Sequence, residues 1–208
     1  MKKRVLLVLV GTAILAAILW GPIVSNVEQA RYDVVESHGN IEIRDYAPMI
    51  VAEVSVPGDR ETAISAGFRK IAEYIFGNNV SSRKVAMTAP VTQKPSEKIA
   101  MTAPVTQQGG EGLWQVRFVM PSSHTMESLP KPSSPDVVLR ELAAKRFAVI
   151  RFSGRAKTRR LEARTRDLHA FIENKQHQAI SKPTYAFFNP PWTLPFLRRN
   201  EVMIEIER

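Results

Sequence analysis

The 208-residue chain has no cysteine, which excludes disulfides, thiolate metal ligands, a cysteine nucleophile and covalent c-type haem attachment. Glycine is sparse at 10 residues, and neither a P-loop nor a dinucleotide glycine fingerprint is present. Gly-x-Ser-x-Gly and His-Glu-x-x-His are missing as well, so the familiar hydrolase and zinc-protease signatures are excluded. Histidine is scarce: His38, His124, His169 and His177 are the only four, and no two share ligand spacing on one helix face. A strong imbalance of charge is also lacking over most of the chain. The net charge is +9, of which Lys2, Lys3 and Arg4 supply three, and the other basic residues are interspersed with acids except at 155–166. Such a distribution favours solubility over specific nucleic-acid binding, and no nucleic-acid partner is expected.

What is present begins with residues 5–24, VLLVLVGTAILAAILWGPIV, twenty residues without a charge. As a helix this run spans about 30 Å, the thickness of a hydrocarbon core. Behind a basic triplet it reads as a single-pass signal-anchor, N-terminus cytoplasmic and the following domain exported to a periplasmic or extracellular space. The alternative is a signal peptide, cleaved to release a secreted domain, although small-x-small cleavage sites are poor here. The expected organisation is therefore an anchor over 1–30 and one domain over 31–208.

Two internal repeats organise that domain. Residues 41–58 (IEIRDYAPMIVAEVSVPG) align without a gap on 137–154 (VVLRELAAKRFAVIRFSG), where Arg44, Ala47, Ala52 and Gly58 recur as Arg140, Ala143, Ala148 and Gly154. Each copy reads as strand, short turn, strand. Each is followed by a helix. Ile64, Phe68, Ile71 and Ile75 share one face of the first, with Asp59 as N-cap and 77–79 (GNN) as the stop, and Leu161, Leu168 and Ile172 mark the second. A shorter repeat, KVAMTAPVTQ at 84–93 and KIAMTAPVTQ at 98–107, is identical at nine of ten positions. Alternation makes each a strand, and Pro90 and Pro104 assign them to edges or bulges. Residues 114–120 form a further strand, 122–136 is a proline-containing loop, 189–196 (NPPWTLPF) a rigid aromatic turn, and 201–207 the last strand. The pattern predicts an α+β fold of duplicated ββα units.

The paired AMTAPV motifs, FRK at 68–70 leading to IFGN at 75–78, FVMP at 118–121, FSG at 152–154, and PW at 191–192 leading to RRNEV at 198–202 resemble the SOUL/haem-binding protein family. The resemblance covers residue 32 to the C-terminus. It implies the gyrase-inhibitor-like effector-binding fold: a pseudo-twofold, distorted antiparallel β-barrel flanked by two long helices, here preceded by an N-terminal hydrophobic helix. It also implies non-covalent binding of haem or another porphyrin, for buffering, carriage or sensing, by a monomer that is not an enzyme.

The ligand surface implied by the family lies along the first helix and neighbouring strands and loops. Here that points to Phe68, Ile71, Ala72, Ile75, Met87 and Met101 for the ring, and to Arg69, Lys70, Arg198 and Arg199 for the propionates. Trp192 and Phe196 are placed to stack on a ring edge. His38 and His124 are the axial candidates. Each residue also has a plain structural reading: an Ile/Phe stripe belongs to a core, methionine fills gaps, and Arg198 and Arg199 tie down the terminal loop through Glu201 or backbone carbonyls. A module for another amphipathic small molecule or a protein partner is the main alternative. A hydrolytic or haem-modifying activity using His38 or His124 with Glu73 is the remaining one.

Overall fold

The computed structural model describes residues 27–81, 96–110 and 112–208. Thirteen strands are described: β1 (Glu28–Gln29), β2 (Tyr32–His38), β3 (Ile41–Tyr46), β4 (Met49–Pro57), β5 (Asn79–Val80), β6 (Thr102–Ala103), β7 (Val105–Gly110), β8 (Leu113–Val119), β9 (Lys131–Pro132), β10 (Val138–Leu142), β11 (Lys145–Phe152), β12 (Thr184–Phe187) and β13 (Asn200–Glu205). Two helices accompany them, α1 (Arg60–Ile75) after β4 and α2 (Thr158–Asn174) after β11. The fold is α+β: nine strands form one curled antiparallel half-barrel sheet in the order β10-β4-β8-β7-β12-β13-β11-β3-β2.

The duplicated copies do not fold as separate hairpins. β3 pairs with β11 of the other copy, and β10 pairs with β4. The pairs Tyr46↔Lys145 and Met49↔Leu142 lie in one register on either side of Ala47-Pro48 and Ala143-Ala144. Each copy therefore runs straight through its expected turn, and the two make one long antiparallel ribbon. Apart from β2, the strand order is unchanged when the copies are exchanged. Gly58 and Gly154, the recurring glycines, end each copy with φ of +114° and +99°, a backbone that a Cβ disfavours.

Strand alternation separates two faces. Ala52, Val54, Val56, Val116 and Phe118 meet Ala63, Ile71, Tyr74 and Ile75 of α1. Ile43, Ala148, Ile150, Val202 and Ile204 meet Leu161, Leu168 and Ile172 of α2. The opposite face carries a third cluster, Tyr46, Val149, Ala186, Phe188 and Met203, covered by Val27, Ala30 and Ala103 around the β1–β6 parallel pair. Asp59 caps α1 as expected, accepting hydrogen bonds from the Glu61 and Thr62 amides at 3.0 Å.

Several expectations are corrected. The strand expected over 98–107 breaks at Pro104 into β6 and β7, and β7 lies mid-sheet between β8 and β12; Pro104 just precedes it, so no ladder hydrogen bond is lost. His38 ends the edge strand β2, which sequence patterning missed because almost all of its residues are exposed. The first copy of the short repeat, with Met87, lies outside the described residues, as does 5–24 with its expected hydrophobic helix. Among the described residues no helix is long and apolar enough to cross a membrane. The single-pass, exported placement is corrected on that finding.

Gly67 faces Val116, whose Cβ and Cγ2 would lie 2.6 Å from an added Cβ. Alanine favours a helix over glycine by about 1 kcal/mol, yet overpacking costs about 1–3 kcal/mol, so G67A is expected to lower stability in urea denaturation. In the ribbon, Arg146 donates to both Asp45 oxygens at 2.8 and 2.7 Å and holds that carboxyl below the usual range. A depressed folded value means that this stabilisation is complete above about pH 4 and fades as pH falls through the folded value. Asp45→Asn is expected to flatten the loss of stability between pH 6 and pH 3, measured by denaturation midpoints.

Candidate functional site

The expected site residues fall into three places. On α1, Ile71 and Ile75 are fully buried against the sheet, so their side chains belong to the core. Phe68 is 38% exposed with its ring 5.3 Å from Phe118, and Phe76, one residue past the helix, is 58% exposed. Phe68, Ala72 and Phe76 recur every four residues and form an apolar stripe on the outer flank of a helix whose inner face already fills the core. Arg69 beside them is exposed and forms no ion pair with another described residue, whereas Lys70 is paired with Asp136 at 2.7 Å. Met101 is 39% exposed on the segment entering β6.

The terminal arginines are committed elsewhere. Arg198 donates from Nε to the Thr193 carbonyl at 2.7 Å and from Nη2 to the Pro191 carbonyl, clamping the Pro/Trp loop. Arg199 contacts Glu201 at 2.8 Å and lies 3.8 Å over the Phe188 ring. Glu201 is 0% exposed and also receives Arg44 at 2.9 and 3.2 Å. Arg44 in turn contacts Tyr46, whose hydroxyl pKa is pushed up chiefly by burial. Both arginines therefore hold the terminal loop and its strand, and Arg199 already has its carboxylate in Glu201. The repeated Arg140 makes a matching contact on the other half, reaching Glu53 at 3.1 Å. Trp192 and Phe196 stand out on the same loop, anchored to the β11–α2 connection by the Gly154 amide on the Pro195 carbonyl.

The third place is a cleft of about 620 Å³ that sequence patterning missed. Met49, Ile50, Val119 and Met120 supply apolar walls, and Arg31, Glu28, Glu141 and His124 its polar groups. It forms where the ribbon passes through 47–48 and 142–143, so it exists only once the two copies have paired. His38 is not in it: its Nε2 pairs with Glu36 at 3.0 Å and its ring lies 5.3 Å from Phe171. His38, His124 and Glu73 thus sit apart, on β2, the loop after β8 and α1. Among the described residues no group of three His, Asp or Glu could hold a metal ion.

A curled half-barrel sheet with two packed helices, an exposed apolar helix flank and an inter-copy cleft defines an α+β scaffold with surface that its core leaves free. The family model for SOUL heme-binding protein matches residues 27–205, and the chain belongs to that family. It is 28% identical over 168 residues to heme-binding protein 2 of Homo sapiens, covering 80% of this chain and 78% of that protein. To heme-binding protein 2 of Mus musculus it is 29% identical over 127 residues, covering 61% and 58%. Among solved structures it is similar to the EcmrR C-terminal domain (TM-score 0.56, 11% identity, 85% of this chain and 98% of that one). It is also similar to a hydrolase from Listeria innocua (TM-score 0.54, 14% identity, 83% and 94%). At those identities the likeness concerns the fold alone.

Removing Glu201 strips Arg199 of its carboxylate and leaves buried Arg44 only the half-buried Glu42 at 2.6 Å, and breaking a buried ion pair typically costs about 3–5 kcal/mol. Glu201→Ala is expected to lose that much in equilibrium denaturation, and Arg69→Ala, at an exposed site, less than about 0.5 kcal/mol.

Proposed function

We propose that this protein binds haem or a related tetrapyrrole non-covalently on the outer flank of α1, within a binding domain spanning 31–208, and thereby buffers, carries or senses it. The observation that carries this reading is the Phe68, Ala72 and Phe76 stripe, apolar surface that the core does not use. From Phe68 to Phe76 the helix rises about 12 Å, comparable to the breadth of a porphyrin ring. Phe68 and Phe76 would cover the ring face, and Met101 its margin. Arg69 would pair with a propionate, its fork suited to a carboxylate. A bound haem would supply redox and ligand-binding chemistry at its iron. The α1 sequence contains no histidine, and the reading needs no axial ligand from it. We propose also that the two halves are related by a pseudo-twofold axis through the ribbon, which the exchange-invariant strand order and shared register support.

The test is a titration of the full chain with hemin, followed at the Soret band. Phe76→Ser and Arg69→Glu are each expected to weaken binding about fivefold, from lost apolar contact and a reversed charge. His124→Ala is expected to leave it unchanged. Unaltered binding in both α1 variants overturns the assignment.

A second reading is favoured by the cleft itself. Its carboxylates, Glu28 and Glu141, outnumber Arg31 and oppose a dianionic ring, but they suit a neutral or cationic amphipathic molecule against Met49, Ile50 and Met120. Native mass spectrometry of the purified chain distinguishes the two: a retained non-porphyrin mass, lost in an Ile50→Lys variant, assigns the cleft to that ligand.

A further inference from the structure

The loop at 189–197 exposes four large apolar side chains together. Trp192 is 70% exposed, Phe196 66%, Leu197 39% and Leu194 38%. They are held out by a stiff frame. Arg198 clamps the Pro191 and Thr193 carbonyls, the Thr193 amide donates to the Pro190 carbonyl at 3.0 Å, and Asn189 accepts from the Arg199 amide at 2.6 Å. Asn200 ties the Gly154 carbonyl beneath the loop at 3.0 Å. The loop therefore cannot fold its aromatic residues inward without breaking these bonds.

Next to Phe196 and Pro195 lies an open groove of about 840 Å³ edged by Arg155, Lys157, Arg159 and Arg160, with no acidic residue in its lining. Several cations elsewhere on the sheet are paired: Arg44 and Arg199 with Glu201, Arg117 and Arg140 with Glu53, Arg146 with Asp45, Lys145 with Glu205. Arg155, Lys157 and Arg159 have no such partner among the described residues, and Arg160 lies 5.7 Å over the Phe152 ring. Gly154 makes room for that guanidinium, since an added Cβ would come within 2.4 Å of Arg160 Nη1.

We propose that this face docks on an anionic lipid bilayer, Trp192, Leu194, Phe196 and Leu197 entering the headgroup boundary and the four cations meeting lipid phosphates. An exposed aromatic and aliphatic tip beside a groove edged by lysine and arginine has the chemistry of a peripheral membrane contact. A soluble anion would engage the cations and leave Trp192, which lies outside the groove lining, without a partner. A nucleic acid would use cations and aromatic rings but has no apolar surface for Leu194 and Leu197. The surface is separate from the α1 flank and from the cleft, so the proposal stands or falls independently of the ligand assignments above.

The test uses the full chain with Trp20 and Trp114 replaced by phenylalanine, so that Trp192 alone emits. It is mixed with vesicles of phosphatidylcholine, alone or with 30% phosphatidylglycerol, carrying brominated acyl chains. The expected result is a blue shift and quenching of Trp192 in the anionic vesicles, weakened by salt. R155E/K157E/R159E, all exposed positions, is expected to weaken this response at least tenfold, each cation near a charged membrane being worth about fivefold. Because Trp192 is itself the reporter, attachment of a vesicle elsewhere on the chain does not register. Unchanged Trp192 emission, or equal quenching in neutral vesicles or in the charge-reversed variant, overturns the proposal. A shift given by a single-stranded oligonucleotide or an acidic peptide but not by vesicles overturns it in favour of that partner.

Discussion

The exchange of strands between the two copies is the constraint on which the remainder of the structure rests. β3 and β4 run as one extended segment, β10 and β11 as another, and their antiparallel pairing in a single register spans both halves of the sheet. A slip of one residue would turn every inward side chain of the ribbon to the opposite face, moving Ile43, Ala52, Ala148 and Ile150 away from the helices together. The register is thus enforced by both cores at once. It also explains why a recurring arginine serves both halves, Arg44 at Glu201 and Arg140 at Glu53, without identical partners.

The helices follow from that sheet. Each is delivered by a glycine with positive φ at the end of a copy, and each buries one stripe against the same face of the sheet. Arg60 joins the helix starts by donating to Thr158 at 3.2 Å and to the Ala156 carbonyl at 3.4 Å. With the inner faces committed to packing, the described residues present the α1 flank, the inter-copy cleft and the stiff loop beside α2 as surfaces for ligands. The side chains there differ in kind: a nearly neutral apolar stripe, a mixed cleft with two carboxylates, and a cationic groove below an aromatic tip. Three surfaces of unlike charge on one small domain divide its candidate ligands by chemistry.

Much of this was legible along the chain. The helix faces were read at Ile71, Ile75, Leu161, Leu168 and Ile172, and the α1 start at Asp59, because period and capping are local properties. Family membership was legible because its motifs are short, uncommon and in order. The site was only partly legible. Phe68 is partly exposed while Ile71 and Ile75, on the same stripe, face the core, since a few tens of degrees around a helix separates the two environments. Arg198 and Arg199 were open as ligand cations until carbonyls and Glu201 were seen to hold them, and those partners include groups far away in sequence, such as Gln29 and Tyr32.

Duplication, helix phase, caps and the cysteine-free chemistry were determined by the sequence itself, because each depends on residues a few positions apart or on composition. Which copy pairs with which, the break of 98–107 into strands of two different sheets at Pro104, the cleft beside His124 and the occupancy of each arginine were decided only by tertiary structure. Those features depend on contacts between residues far apart in the chain, up to 170 positions for Arg199 and Gln29. Only the strand pairing of the folded sheet brings such residues together.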